Sequence, residues 1–472
     1  GFASTCITPP PGRDIPGLFN RRLALGVYDD LFARAAVVDD GQRCVAMVQT
    51  DAIKVSEDLV AEARKQAHAL CGIAKQDCFI AATHTHSGGP VFGGFMAQPD
   101  PHYPPFVAQQ IASAIAEAHR TRVPALIGTG ACPAEGIAFN RRFIMKDGRQ
   151  TTHPGKMNPD IFEPAGPADP TVTVVAFGEP ATCRPLGCIV NFGCHATHMN
   201  GLLYSADYPR WIVDTLQRVY GPDFGVVFLN GACGDVTQVD NQSPRPGEFG
   251  PYWCERTGRT IGGAALQAVA RMDYYKDASV AAGSARVRAA IRKASPSTLK
   301  AARALLRERE ITPKDVETVY ANEALLVEGA RRKAPVRTLE IQGVRLADAW
   351  FWGVPGEFFQ AFALSVREDS LFAHTCCVEL ANGYNGYICT AEAFGGGYES
   401  RTARSSLLVP EAGGAIVRAA RRLRNRMFAD AEGELAGLPG RRTWPGVDDN
   451  ALDGIKQLKK RGTARRTKRR AK

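Results

Sequence analysis

Between residues 32 and 272, short apolar runs alternate with longer amphipathic segments, and short Gly- or Pro-marked connections join them. Runs of four to eight apolar residues suit buried strands, and longer segments with apolar residues at three- and four-residue spacing suit helices. The strand-like runs are 32–38, 44–49, 77–82, 125–130, 172–177, 186–192 and 225–230; the helix-like segments are 56–70, 105–118, 209–220 and 258–272. Such alternation predicts an α/β protein with a mixed β-sheet core and covering helices.

Residues 295–333 change character. Two segments rich in Ala, Leu, Arg and Glu, 296–310 and 313–332, follow Ser295 and Thr312, which suit N-caps, and Pro296 and Pro313 suit first helical positions. Strand-like 336–342 and 346–352 come next, so the pair reads as a helical hairpin inserted between β regions. A last helix is expected over 410–427. Long Gly-, Pro-, Asn- and Tyr-rich stretches at 87–104, 131–170, 232–257 and 381–408 read as loops, and loops of that length in a compact domain usually serve function. The division is one domain over 1–440, followed by a linker and disordered basic tail over 441–472.

The formal charge of +10 resides in that tail. Residues 456–472 hold ten Lys and Arg and no acid, so the remainder balances 48 basic against 48 acidic residues. The tail fits a weak contact with a polyanion or an acidic membrane surface, or a solubilising terminus. No apolar run approaches the roughly 18–20 residues of a membrane span. Thirteen cysteines with no Cys-x-x-Cys pattern indicate buried thiols, without a disulfide framework or a thiolate zinc site. The start, Gly-Phe-Ala-Ser-Thr-Cys, has neither an initiator Met nor a basic-then-apolar leader and reads as processed or truncated; a cytoplasmic chain is the first expectation, with secretion the other.

Four of the nine histidines fall in two stretches, Ala-Ala-Thr-His84-Thr-His86-Ser-Gly-Gly and Asn-Phe-Gly-Cys-His195-Ala-Thr-His198-Met-Asn. Each follows a strand-like run, and sites in open α/β sheets form at the carboxyl ends of strands. Histidines two or three apart can converge on one ion, and several combinations of these four satisfy the spacing. Three further segments supply polar groups. Pro355-Gly356-Glu357-Phe358 offers a carboxylate after a strand, which also suits the first turn of a helix. The stretch from Asn382 to Glu399 places Tyr384, Tyr387 and Tyr398 among glycines, and Asn230-Gly-Ala-Cys-Gly-Asp235-Val-Thr237 forms a tight glycine turn after a strand.

Taken in order, Ala-Thr-His84-Thr-His86-Ser-Gly, Asn140-Arg141, the His195 stretch, Asn-Gly-Ala-Cys-Gly-Asp235-Val-Thr237, Pro355-Gly-Glu357-Phe and Tyr384-x-Gly-Tyr387 with Tyr398-Glu399 resemble the catalytic domain of the neutral, non-lysosomal ceramidases. The opening Ile7-Thr-Pro-Pro-Pro-Gly and Phe32-Ala-Arg-Ala match as well, and the likeness spans about residues 5–430. It covers the family's catalytic part; the short basic tail stands where the family has an immunoglobulin-like domain. The resemblance implies a Zn2+-dependent amidase that splits ceramide into fatty acid and sphingosine. It implies His84, His195, Glu357 and Tyr387 as zinc ligands, His86 as a proton shuttle, and Arg141 and Tyr398 as groups that orient substrate or stabilise an oxyanion. Thr237 is placed with these catalytic residues, and His198 is left as structural, though its spacing also permits a place among the ligands. Thr237 stands where the family carries Ser, and Glu392-Ala393-Phe394 where it reads Glu-Glu-Tyr, with one residue fewer before Tyr398. These departures border the substrate more than the metal. A second reading therefore keeps the zinc chemistry and changes the substrate to another lipid or small-molecule N-acyl amide or an ester. A third makes the body a non-catalytic scaffold for a polyanion-binding tail.

Overall fold

The computed structural model describes residues 1–276, 278–437 and 442–443. The mixed β core is divided among three main sheets, each covered on its outer side by a pair of helices. The first sheet runs in the order Phe2–Cys6, Phe32–Asp39, Cys44–Thr50, Cys78–Ala82, with the last pair parallel. In the second, Gly225–Asn230 lies parallel to Pro185–Phe192, followed by Thr171–Gly178, Leu126–Pro133, Tyr274–Tyr275 and Arg442–Thr443. The third orders Val280–Ala290, Val336–Leu346, Ala349–Val354 and His374–Glu379.

Side chains alternate across these strands, and both faces are buried. In Cys44–Thr50, Ala46 and Val48 face helices Glu57–Cys71 and Tyr103–Arg120, while Val45 and Met47 face inward. In Thr171–Gly178, Val172, Val174 and Ala176 face helices Tyr208–Tyr220 and Pro251–Ala270, while Val175 and Phe177 face inward. The inward residues of all three sheets meet in one core that includes Met47, Phe79, Val175, Leu229, Phe351 and Val378. Burial on both faces explains why these strands read as continuous apolar runs rather than alternating ones.

Most expected elements lie within a few residues of their observed ends, and the differences have local causes. The helix expected at 258 begins at Pro251 and so shortens the 232–257 loop. Its mid-helix Gly258 lies against a neighbouring helix, where an added Cβ would sit 2.3 Å from the Tyr208 carbonyl oxygen. The hairpin is present as Pro296–Glu308 and Val316–Lys333. Ser295 caps the first helix, but the second is capped by Asp315, not Thr312; the Thr312 hydroxyl instead accepts from Asp315 N at 3.3 Å in the turn before it. The 131–170 stretch is not simply loop: Arg142–Met145 is the centre of a three-stranded sheet with Gln150–Thr152 and Ile161–Pro164.

Strands Phe2–Cys6, Val280–Ala290 and His374–Glu379 were not expected. Val280–Ala290 is dominated by Ala, Gly and Ser, with Arg286 and Arg288 and only two β-branched residues, Val280 and Val287, a weak strand signal. All thirteen cysteines are free thiols. Among the described residues no helix is long and apolar enough to cross a membrane. The basic tail 456–472 lies outside the described residues.

Candidate metal centre

The strand Cys78–Ala82 ends where the chain leaves the first sheet, and its next residues are fixed by backbone bonds from Thr83 N to Thr50 O (2.9 Å) and His84 N to Ala52 O (3.0 Å). His84 takes φ +69°, a conformation that L-residues seldom adopt, which places backbone strain at a candidate ligand. Its Nδ1–H donates to Ile53 O at 2.8 Å, directing Nε2 inward. His195 follows Pro185–Phe192 in the same manner, with Nδ1–H donating to Cys233 O at 2.7 Å. Such second-layer carbonyls fix the ring orientation and leave the Nε2 lone pair free.

Glu357 arrives from the third sheet. It does not open a helix: Glu357–Phe358 is a short strand paired in parallel with Tyr387–Ile388, and the helix starts only at Gln360. The pairing sets Glu357 opposite Tyr387, which explains why two residues thirty positions apart serve one site. Tyr384 OH donates to Glu357 Oε1 at 2.8 Å. The other oxygen, Oε2, lies 3.3 Å from His84 Nε2 and 3.3 Å from His195 Nε2.

That convergence is the central feature. Glu357 Oε2 and His195 Nε2 are buried without a hydrogen-bond partner, an arrangement that is costly unless a cation binds. His86 Nε2 stands 3.4 Å from His84 Nε2, and the ligand atoms of His84, His86 and His195 lie within 4.8 Å of one another. This buried histidine group can hold a metal ion. Burial opposes ionisation of Glu357, yet His84 and His195 outweigh it and hold the carboxyl well below its usual range. For His84, burial is likewise outweighed by Glu357, and its pKa is raised. Burial, reinforced by Arg141 and His84, drives His195 down to about 3, and burial with the neighbouring imidazoles puts His86 well below the usual range, so both rings are neutral at pH 7.

The remaining expected residues surround the same point. Arg141, Thr237, Tyr387 and Tyr398 line one cavity of about 510 Å³ with His84, His86, His195 and Glu357. Arg141 donates from Nε to Glu399 Oε1 (3.0 Å) and from Nη2 to Gly234 O (2.7 Å), and its guanidinium lies 5.5 and 5.2 Å from the Tyr387 and Tyr398 ring centres. Tyr387 stacks on His195 with ring centres 6.5 Å apart, and burial followed by the Glu357 charge keeps its phenol protonated. Thr237 OH donates to Gln238 Oε1 at 2.9 Å. His198 stays apart from the cavity: its nitrogens are taken by Asp207 Oδ1 (2.9 Å) and Thr257 Oγ1 (3.0 Å), a structural role.

Several residues that build the site escaped the sequence reading. Glu379, fully buried, accepts from Cys233 N (2.8 Å) and Phe358 N (3.0 Å), tying the glycine turn to the Glu357 strand; burial pushes its carboxyl up to about 7. A lone acid ending an apolar strand was the available signal. Gly234 sits so close that an added Cβ would lie 2.6 Å from Glu357 O, so that turn admits only glycine. The hairpin also contributes, with Val316, Tyr320 and Glu323 forming part of the cavity wall beside Phe19 and Phe95.

No protein-family model matches the chain, and no curated protein matches it in sequence. Among solved structures it is similar to neutral ceramidase from Pseudomonas aeruginosa, with 20% identity and a TM-score of 0.67 over 90% of this chain and 74% of that chain. A ceramidase complexed with C2 is similar too, with 19% identity and a TM-score of 0.65 over 90% of this chain and 75% of that one. Three sheets, their covering helices and the strand ends that carry the histidines thus belong to a known architecture, and the chain has the neutral ceramidase fold.

Proposed function

We propose that this chain is a zinc-dependent hydrolase of N-acyl amide bonds, acting as a ceramidase does on ceramide to release a fatty acid and an amine. The observation that carries this reading is the meeting of His84 Nε2, His195 Nε2 and the unpartnered Glu357 Oε2 at the floor of a largely apolar cavity. Two imidazoles and one carboxylate suit zinc, and Tyr387, placed opposite Glu357 by strand pairing, completes a four-ligand set. A zinc ion held there supplies Lewis acidity, which polarises a carbonyl and lowers the pKa of water.

The chain's own residues do the rest. His86, neutral through burial and with Nδ1 free of any partner, accepts the proton of the attacking water and returns it to the leaving amine. Arg141 and Tyr398 face the same point as donors for the charge that develops on the carbonyl oxygen. Glu399 holds Arg141 in place, and Tyr384 fixes the Glu357 carboxylate. The acyl chain lies along Phe19, Phe95 and Tyr320, whose rings meet edge to face at 4.8 and 5.9 Å. Purified protein is expected to release fatty acid from short-chain ceramide or another N-acyl amide, to lose that activity on chelation and to regain it with zinc; activity that survives complete metal removal would sink the reading. A second reading keeps the chemistry but gives it an N-acyl substrate outside the sphingolipids. It is favoured by Lys54 in the cavity wall, a cation for which a neutral sphingolipid offers no counter-charge.

A further inference from the structure

Lys54 lies on the chain between the first sheet and helix Glu57–Cys71, and its side chain enters the cavity beside the metal centre. Its ammonium stands 3.4 Å from the ring centre of Phe92 and 3.8 Å from that of Tyr384. Tyr384 is the residue whose hydroxyl holds Glu357, so one tyrosine ring separates the amine from the ligand carboxylate. Rings stabilise a cation through their faces but do not neutralise it.

No ion pair or hydrogen bond reaches Lys54 among the described residues, and the acids around it are already engaged. Glu323, itself buried, accepts from Arg404 Nε at 2.9 Å and from Arg404 Nη2, a fork whose arginine side is open to solvent. Glu57 accepts from Asn385 Nδ2 at 3.3 Å, and Glu357 faces the histidines. Arg401, the other cation on this wall, is paired with Glu317 and lies 3.8 Å from the Tyr320 ring centre. Arg141 is paired with Glu399. Lys54 is therefore the cavity's one cation without an acidic partner among the described residues. Burial brings its pKa down to about 7, which an anionic ligand beside it would reverse.

Resting on the hydrolase reading above, we infer that Lys54 selects substrates that carry a carboxylate close to the scissile amide, such as N-acyl amino acids. In an N-acyl glycine the carboxylate carbon is two bonds from the amide nitrogen. With the amide carbonyl at the histidines, the acyl chain runs along Phe19, Phe95 and Tyr320. The carboxylate then turns past Tyr384 to Lys54. A charge-assisted hydrogen bond in a water-poor wall gives the carboxylate an advantage that its uncharged isostere lacks.

The test compares N-lauroylglycine with N-lauroylglycinamide, each by release of lauric acid and by calorimetric binding, on wild type, Lys54→Met and Lys54→Arg. Wild type is expected to favour the carboxylate by about tenfold or more in both kcat/KM and Kd, Lys54→Arg to keep most of that ratio, and Lys54→Met to bring it near one. Because the readout is a ratio on one protein, a variant that is partly inactive still reports it. Equal handling of the two compounds by wild type, or an undiminished preference in Lys54→Met, overturns the assignment to Lys54 while leaving the hydrolase intact. Selective binding that depends on Lys54, with no hydrolysis of these compounds or of short-chain ceramide, overturns the hydrolase and keeps the anion site.

Discussion

Glu357→Gln is expected to abolish turnover and strip the metal while leaving the fold in place. The side chain keeps its shape and can still accept from Tyr384 OH, but the charge that faces His84 and His195 is gone. Loss of a partner outside the ligand set costs a zinc site about 10- to 100-fold in affinity or activity, so loss of a ligand's charge should exceed about 100-fold. The amide also forfeits the attraction by which His84 and His195 hold the Glu357 carboxyl ionised in the metal-free protein, so the melting temperature of that form should fall modestly. Zinc content after exhaustive dialysis, kcat/KM and the melting temperature of the metal-free form check this together. A variant with wild-type zinc content and kcat/KM would remove Glu357 from the ligand set.

Glu399→Ala should be the most destabilising single change near the site. The carboxylate is wholly buried and accepts from Arg141 Nε at 3.0 Å, Arg142 Nη1 at 2.6 Å and Thr152 Oγ1 at 2.6 Å. Removing it leaves two nearly buried guanidinium groups short of their counter-charge. Breaking a buried ion pair from one side costs about 3–5 kcal/mol, far more than the pair contributes over an apolar replacement. The denaturant midpoint should fall accordingly at unchanged slope, and activity should fall further than stability because Arg141 loses the bond that aims it into the cavity. A shift below about 1 kcal/mol would mean that water reaches these guanidiniums in the folded protein.

The histidines were legible because their signal is local: two stretches after apolar strands, in a chain with few histidines, point to a site at strand ends, where His84 and His195 converge. Spacing alone could not separate the four candidates. The structure separates His198, whose nitrogens are consumed by Asp207 and Thr257. Glu357 and Tyr387 were visible as candidate polar groups, but only the family resemblance joined them to the histidines, since what unites them is a two-residue parallel pairing that no periodicity announces. In isolation, Glu357 looked like the first acid of a helix.

What stayed hidden depends on distant contacts. Glu379 matters because two segments more than a hundred residues apart bring Cys233 and Phe358 to it. Lys54 looks like a surface lysine until Phe92 and Tyr384 close around its ammonium. Strand Val280–Ala290 was missed because its small side chains and arginines pair through the backbone with Val336–Leu346, whose sequence carries the apolar signal. The cap at Asp315 rather than Thr312 reflects competition between two adjacent side-chain acceptors, of which the later one reaches the first helical turn.

The most direct test is anomalous diffraction at the zinc edge from crystals of the purified protein. The expected result is one strong peak per chain within ligand distance of His84 Nε2, His195 Nε2 and Glu357 Oε2, with the Tyr387 phenol beside it. No peak there after soaking in zinc, or a metal bound at other residues while these three stay unpaired, would contradict a zinc hydrolase.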